Sequence, residues 1–177
     1  MRKIILYSAM SLDGYIARAN GDIDWLTSDD DFGYEDFFAS VDTTIMGYKT
    51  YHQVLGFGEW HYSEKENFVF TRDPNRPPDP NVTFVYGDHV RFVREMKAQT
   101  GRQHIWLIGG GQVNLLLGEA GLVDELRLFV MPVSLGRGIS LFEGELSANW
   151  KLTLAQPYPS GVVEMRYTFA KLAPPES

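Results

Sequence analysis

The stretch Ile105-Trp106-Leu107-Ile108-Gly109-Gly110-Gly111-Gln112-Val113-Asn114 joins an apolar run to three glycines and then to a helical pattern. It predicts a strand at 104–108 and a helix at 112–120, which Gly121 ends. Residues without a Cβ let a phosphate approach the backbone, and free N–H groups at a helix start can hold it. The stretch therefore indicates a phosphate site or, alternatively, a tight turn without a ligand.

Two features of this stretch argue against an ordinary Rossmann domain. The glycine spacing is not G-x-G-x-x-G, and the motif comes late in the chain instead of after the first strand. A second strand, 43–47, also ends on a glycine, Gly47, and runs into a short helix at 49–55. Strand and helix therefore alternate around two glycine turns.

The remaining segments continue this alternation and then change character. Helices are predicted from the N-cap residues Thr27 and Ser28 to about Ser40, and from Asp88 to about Thr100. Alternation of this kind favours an α/β fold whose mostly parallel sheet is covered on both faces, and helix-free strands near the end favour an antiparallel C-terminal edge. Further strands are predicted at 4–10, 67–71, 82–86, 125–131, 150–155 and 162–169.

Length and composition restrict the function classes. The chain has 177 residues, a formal net charge of -7 and no cysteine. We expect one domain over 1–172 with a flexible tail at 173–177, in a cytoplasmic protein, because no run of about 20 apolar residues could span a membrane. The negative charge disfavours nucleic acid and anionic lipid surfaces as partners. Without cysteines, and without two histidines at i and i+4, no metal site is expected.

The two glycine motifs, Ile45-Met46-Gly47-Tyr48-Lys49-Thr50 and Ile108-Gly109-Gly110-Gly111, resemble those of the dihydrofolate-reductase superfamily in order and separation. The resemblance covers the chain from Ile4 to Phe169 and implies that fold, with its mixed central sheet. It also implies NADPH as the cofactor. The residues that the resemblance places at the cofactor are Gly47, Lys49, Thr50, Thr71, Arg72, Ile108, Gly109, Gly110, Gly111, Gln112 and Val113.

Charge complementarity favours NADPH over NADH. Lys49 and Arg72 are the cations that we expect near a 2′-phosphate. The alternative is that both are solvated surface cations.

A narrower resemblance lies in Ser11-Leu12-Asp13-Gly14-Tyr15-Ile16-Ala17, which is followed by Trp25. This pattern is similar to the reductase domain of bifunctional riboflavin-biosynthesis deaminase-reductases and their stand-alone relatives. The deaminase half of such enzymes needs a zinc site built with cysteines, which this chain lacks. The resemblance therefore implies reduction alone, on an aminopyrimidine ribosyl compound or a related heterocycle.

Two aspartates are candidates for a catalytic role. The resemblance places the pocket carboxylate of folate reductases at Asp31, which would promote protonation of the substrate, and Ser140 at a threonine that hydrogen-bonds it. Asp31 could instead complement the helix dipole. Asp13 could face the substrate or only bond to the backbone of a turn.

Two further observations concern the substrate. Ile23 and Trp25 lie where the family has a mobile loop over the nicotinamide, so they are expected either to exclude water from the substrate or only to anchor the loop. The arginine that holds the folate glutamate aligns with Lys65, which cannot make a planar two-point contact, so folate is disfavoured.

Several hypotheses for the function remain. The first is an NADPH-dependent reductase of the riboflavin type, acting on a small-molecule C=N or C=O bond. The others are a dihydrofolate reductase, an NADPH-binding sensor without turnover, and a purely structural module. The aromatic, strand-rich C-terminal segment also permits a homodimer.

Overall fold

A mixed sheet of eight strands runs through the molecule in the computed structural model, which describes residues 1–27 and 31–170. The strand order is β5-β4-β3-β6-β1-β7-β10-β9, in which the first six strands are parallel, β10 runs antiparallel to β7, and β9 runs antiparallel to β10. The predicted architecture is therefore confirmed. The strands are β1 Ile4–Ser11, β3 Val41–Gly47, β4 Glu66–Phe70, β5 Thr83–Val85, β6 His104–Gly109, β7 Glu125–Met131, β9 Asn149–Pro157 and β10 Val163–Ala170; β2 Tyr15–Ala17 and β8 Ile139–Ser140 lie outside the sheet.

Four helices cover the two faces of the sheet. They are α1 Tyr34–Ala39, α2 Tyr48–Leu55, α3 His89–Ala98 and α4 Gly111–Glu119. Alternate residues of a strand point to opposite faces. Ile4 and Leu6 accordingly pack under α3 and α4, whereas Ile5 packs under α1, and Ile108 contacts the clusters of both α1 and α2. We call the second side the α1/α2 face.

The predicted start of the helix at 27–40 is wrong. Phe32 and Gly33 have φ values of 52° and 74°, and α1 begins only at Tyr34. Residues in the left-handed region cannot continue a right-handed helix, so the turn ends where Gly33 permits it. The expected capping residue Ser28 lies outside the described residues, as does the expected tail at 173–177. The capping role of Asp88 is confirmed, since its side chain accepts a hydrogen bond from the Arg91 N–H of α3.

A short ribbon of β2 and β8 was not predicted. Tyr15 pairs with Ser140 and Ala17 with Ile139 in antiparallel register. The ribbon consists of three- and two-residue strands, which are too short to carry a periodic pattern. It joins segments that are more than one hundred residues apart in the chain.

The two ends of the parallel strands form distinct edges. The carboxyl edge includes Ser11, Gly47, Gly109 and Met131, where β1, β3, β6 and β7 end. The opposite, amino edge holds the start of β1 and, because β10 runs antiparallel to β7, also the end of β10 at Ala170. Among the described residues, no helix is long and apolar enough to cross a membrane.

A buried arginine organises the amino edge. Arg2, only 3% exposed, donates from Nε to the Gln103 carbonyl over 2.7 Å and from Nη2 to the Thr43 hydroxyl over 2.6 Å. The same Nη2 pairs with the Asp42 carboxylate, which also accepts from Arg102 Nε at 2.8 Å. This network links β3 to the residues that precede β1 and β6.

Candidate active site

The amino ends of two helices meet at the carboxyl edge. Gly47 directly precedes α2 and Gly110 directly precedes α4. An ideal Cβ built on Gly47 would lie 3.1 Å from the Val113 side chain, and one on Gly110 would lie 3.3 Å from the Thr50 hydroxyl. The two turns can approach this closely because neither position carries a side chain. The structure thus brings together four of the residues predicted at the cofactor, and we call the gap between the two turns the glycine crevice.

The residues around the glycine crevice differ in backbone conformation, in hydrogen bonding and in exposure to solvent. Gly109 has a φ of 108°, a conformation that favours glycine. Val113 N–H and Asn114 N–H both bond to the Gly110 carbonyl, so the first free donors of α4 are the N–H groups before them. Gln112 is exposed and Ile108 is half-buried.

The third glycine is tied to the ribbon. A Cβ on Gly111 would collide with the Ser140 carbonyl oxygen, and the Gly111 carbonyl accepts a hydrogen bond from Glu143 N–H at 3.1 Å. The buried Asn114 donates to the Leu141 carbonyl over 2.8 Å. Asn114 was not among the predicted site residues, although it stands in the stretch that decides the fold. Ser140 therefore lies beside the glycine turn.

The predicted cations lie at exposed positions on the segments that follow the neighbouring strands β3 and β4. Lys49 is exposed in the first turn of α2, and Arg72 is exposed just after β4. Thr71 is buried, and its hydroxyl accepts from Asp73 N–H at 3.1 Å. Sequence analysis missed Arg76, whose guanidinium lies 3.8 Å from the centre of the Tyr48 ring.

Arg76 also donates to the Tyr48 hydroxyl over 2.7 Å and pairs with Asp73 at 3.4 Å. Its contact holds the loop after β4 against the start of α2. The only sequence signal was a cation inside a proline-rich loop, a pattern with no fixed geometry.

Asp13 holds a loop in place. Its carboxylate accepts from the Ser11 hydroxyl at 2.6 Å, Leu135 N–H at 3.1 Å and Gly136 N–H at 2.7 Å. The bond from Ser11, followed by those from the two backbone groups, lowers the pKa of Asp13 to about 2. An ionised carboxylate with these partners is suited to anchoring the loop after β7. A direct role of Asp13 in the reaction stays a prediction.

Asp13→Asn is expected to lower the urea midpoint near neutral pH and to have a smaller effect in acid. The folded pKa of about 2 lies below the ordinary value of 3.8, so ionised Asp13 stabilises the fold above the ordinary value. This contribution is lost as the pH falls towards the folded pKa. Urea unfolding of both proteins at about pH 6 and about pH 2.5 measures the difference. A difference that is equal at both pH values would contradict the role of the carboxylate.

Asp31 lies just before α1 and is exposed. Its carbonyl accepts from Tyr34 N–H at 2.9 Å, and its carboxylate lies 3.5 Å from Glu35 N–H. Asp31 is thus positioned to complement the start of α1, and in the described residues no hydrogen bond joins it to Ser140. Its catalytic role stays a prediction.

A cavity of about 250 Å³ opens at the carboxyl end of β7. Trp25 lines it, whereas the half-buried Ile23 is not among the described residues of the lining. A role of either residue at the substrate stays a prediction. The indole N–H of Trp25 is buried and has no acceptor among the described residues. The other described residues of the lining are Thr27, Met131, Pro132, Val133 and Ser160.

An aromatic cluster around Tyr7 adjoins this cavity and was not predicted. The Tyr7 ring stacks on Phe37 at 4.1 Å and lies 4.8 Å from Phe129. Burial, and then the charges of Glu164 and Asp31, raise the pKa of Tyr7, so its phenol keeps its proton. The phenol has no hydrogen-bond partner among the described residues. In the sequence, Tyr7 stands among the apolar residues of β1, so no pattern marked it as a residue of the site.

Lys65 is engaged with α1. Its ammonium donates to the Phe38 carbonyl over 2.9 Å and lies 3.9 Å from the centre of the Phe38 ring. A lysine held in this way is a poor partner for a carboxylate ligand, which agrees with the expectation that folate is disfavoured.

Comparison with known proteins identifies the family. The pattern of the RibD C-terminal domain matches residues 2–163. The chain belongs to the RibD C-terminal domain family. One relative is the uncharacterized protein YwjB of Bacillus subtilis (strain 168), which is 38% identical over 174 residues that cover 96% of this chain and 99% of YwjB.

Two solved structures are similar in fold to this chain. A candidate riboflavin biosynthesis protein from Shewanella sp. PV-4 has a TM-score of 0.84 and 28% identity, with 97% of this chain and 100% of that chain covered. The dihydrofolate reductase of Enterococcus faecalis, in complex with NADP(H), has a TM-score of 0.72 and 13% identity, with 96% and 97% covered. The dihydrofolate-reductase-like fold and the resemblance to the riboflavin branch are therefore confirmed.

Proposed function

We propose that this member of the RibD C-terminal domain family is an NADPH-dependent reductase that acts on a C=N or C=O bond of a small heterocycle. The observation that carries the proposal is the glycine crevice between α2 and α4. Family membership and the fold shared with a dihydrofolate reductase support it. Of the hypotheses from the sequence, only the purely structural module would leave both glycine turns without a ligand.

The residues of the crevice fit a dinucleotide. No side chain projects from Gly47, Gly109, Gly110 or Gly111, so a pyrophosphate would meet backbone N–H groups and the positive ends of two helices. Lys49 and Arg72 are suited to hold the 2′-phosphate of the adenosine end, and the Arg76–Tyr48 pair would fix the loop beside it. The remaining residues proposed to hold the cofactor are Thr50, Thr71, Ile108, Gln112 and Val113.

The reaction needs few groups of the protein. When bound, NADPH supplies a hydrogen with two electrons to the carbon of the substrate double bond, and the nitrogen or oxygen of that bond takes up one proton. Trp25 and Ile23 would keep water away from the reacting atoms. Asp31 is the group proposed to pass the proton, and the protonated Tyr7 beside it would orient the ring by donating a hydrogen bond. Ser140 would support the glycine turn from the ribbon.

Titration with NADPH and NADH tests the cofactor. Lys49→Ala combined with Arg72→Ala is expected to weaken NADPH binding by about tenfold or more and to leave NADH binding unchanged, because only NADPH carries the 2′-phosphate. Quenching of tryptophan fluorescence measures both affinities. The matched control, Arg91→Ala with Lys151→Ala, removes two exposed cations elsewhere on the protein and is expected to bind NADPH like the wild type. Failure of the wild type to bind either nucleotide would overturn the proposal.

A further inference from the structure

The cavity beside Trp25 bears on the kind of substrate, provided that the proposed reductase function holds. It lies at the carboxyl edge where β7 ends, and β7 is separated from the β6 glycine turn only by β1. A ligand in this cavity would therefore lie at the carboxyl end of β7, with only β1 between it and the β6 glycine turn. Its lining can indicate which substrates fit.

The described residues that line the cavity include no lysine or arginine. A phosphate monoester carries a charge of about −1.5 to −2 near neutral pH, and placing it in a cavity without a cation removes its water without compensation. The lining therefore disfavours a phosphate group.

Nearby cations on the α1/α2 face are already engaged. Arg127 pairs with Glu125 at 2.6 Å, and its guanidinium lies 5.3 Å from the Phe37 ring. Arg166 pairs with the buried Glu164. Breaking a partly buried pair to bind a ligand leaves the other charge without its partner, which is costly.

Carboxylates and aromatic rings lie in the region next to the cavity. Tyr7, between Phe37 and Phe129, is under the influence of the carboxylates of Glu164 and Asp31. Phe129 belongs to one apolar cluster with Met131 of the cavity lining, and Tyr7 packs against that cluster. Aromatic walls favour a flat ring by area and by ring geometry. The carboxylates disfavour an anionic one.

The lining also holds an unsatisfied donor. The Trp25 indole N–H is buried without an acceptor among the described residues, and buried polar groups usually have a partner. A carbonyl or ring nitrogen of a ligand that reached this group would supply the missing acceptor. We propose that the substrate of this cavity is an uncharged flat heterocycle that carries a hydrogen-bond acceptor and no phosphate group.

Arg137 is a cation that argues against this substrate class, so the test includes it. Arg137 is exposed in the turn between Gly136, which donates to Asp13, and Gly138. A Cβ on Gly138 would collide with the Ala17 carbonyl, so this turn is pressed against β2. If the protein recognises a phosphate through Arg137, Arg137→Ala should lower the affinity for phosphate esters alone.

The test compares an aminopyrimidine riboside with its 5′-phosphate, which differ only in the phosphate group. NADPH binding is first measured by calorimetry, so that a failure of the cofactor proposal is seen separately. Binding of the two compounds is then measured on the protein with and without cofactor, and turnover by oxidation of NADPH. We expect the riboside to bind, and to be reduced with a kcat/KM at least tenfold above that of its phosphate.

Substitutions in the lining sharpen the comparison. Val133→Arg is expected to raise the affinity for the 5′-phosphate at least tenfold relative to the riboside, whereas the uncharged control Val133→Gln is not. Trp25→Phe, which removes the indole N–H, is expected to weaken binding of the riboside to the protein that holds NADPH.

Three results would overturn the proposal on substrate class. They are equal or better binding of the 5′-phosphate, a phosphate preference that Arg137→Ala abolishes, and binding of neither compound by protein that holds NADPH. If NADPH itself does not bind, the proposed reductase function fails, and the two compounds on the cofactor-free protein still decide whether the cavity rejects phosphate.

Discussion

Gly111→Ala is expected to lower the free energy of unfolding by about 3 kcal/mol and to abolish NADPH binding, because a Cβ there collides with backbone. The obstacle is the Ser140 carbonyl oxygen, and Glu143 crowds the same point. Neither can retreat easily, since Glu143 N–H donates to the Gly111 carbonyl and Ser140 pairs with Tyr15. The substitution would therefore separate α4 from the ribbon. Urea unfolding and nucleotide titration measure the two effects.

Gly110→Ala is the matched control for this substitution. Its φ of -78° suits any residue, and the nearest atom to a new Cβ is the Thr50 hydroxyl at 3.3 Å. We expect unfolding close to that of the wild type and a loss of nucleotide affinity of at least about tenfold, because the methyl group would stand where the backbone meets phosphate. A Gly111→Ala protein as stable as Gly110→Ala would show that the ribbon does not press on the turn.

Asp42→Asn is expected to destabilise the protein by about 3 kcal/mol, because it leaves the Arg2 guanidinium buried without its anion. The Arg2 side chain is 1% exposed, and that of Asp42 is 21% exposed. Burial alone would raise the pKa of Asp42, but the hydrogen bonds from Arg102, Thr43 and Gln103 N–H hold it at about 2. The effect should therefore persist from neutral pH down to about the ordinary carboxyl pKa and shrink below it.

An exposed ion pair supplies the control for Asp42→Asn. Arg91 and Glu95 of α3 pair at 2.9 Å with side chains that are 77% and 65% exposed. Exposed pairs contribute little to stability, so Arg91→Met should leave the urea midpoint unchanged. Equal effects of Asp42→Asn and Arg91→Met in urea unfolding would contradict a structural role for the network at the amino edge. Nucleotide affinity per folded molecule should be unchanged in both variants.

The sheet and the cofactor end of the site were predictable because their signals are local. An apolar run that ends on Gly109 or Gly47 and continues as a helix defines a strand, a turn and a helix start within about ten residues. The resemblance to the dihydrofolate-reductase superfamily placed both turns at one cofactor, and the structure brings Gly110 close to Thr50 at the shared carboxyl edge of the parallel strands. The positions were predictable, whereas the close fit between them was not.

The other features of the fold and the site depend on contacts between residues that are far apart in the sequence. Asp13 bonds to Gly136, 123 residues away, and Arg2 reaches Gln103 and Asp42, so no local pattern could reveal either network. The start of α1 was misplaced because Thr27 and Ser28, which are typical N-cap residues, precede a left-handed turn at Phe32 and Gly33. The predicted homodimer, cytoplasmic location and catalytic roles of Asp31 and Asp13 stay predictions.

The placement of Ile4 and Ala170 at the amino edge has a practical consequence. The glycine turns lie at the other ends of the strands, and the seven residues of β7 span about 20 Å at the usual rise per residue. A fluorescent reporter, an affinity tag or a tether to a solid support, attached near either of these residues, would therefore stand on the far side of the sheet from the mouth of the crevice. The protein can be immobilised by this edge for single-molecule or biosensor work while ligands approach freely from the other.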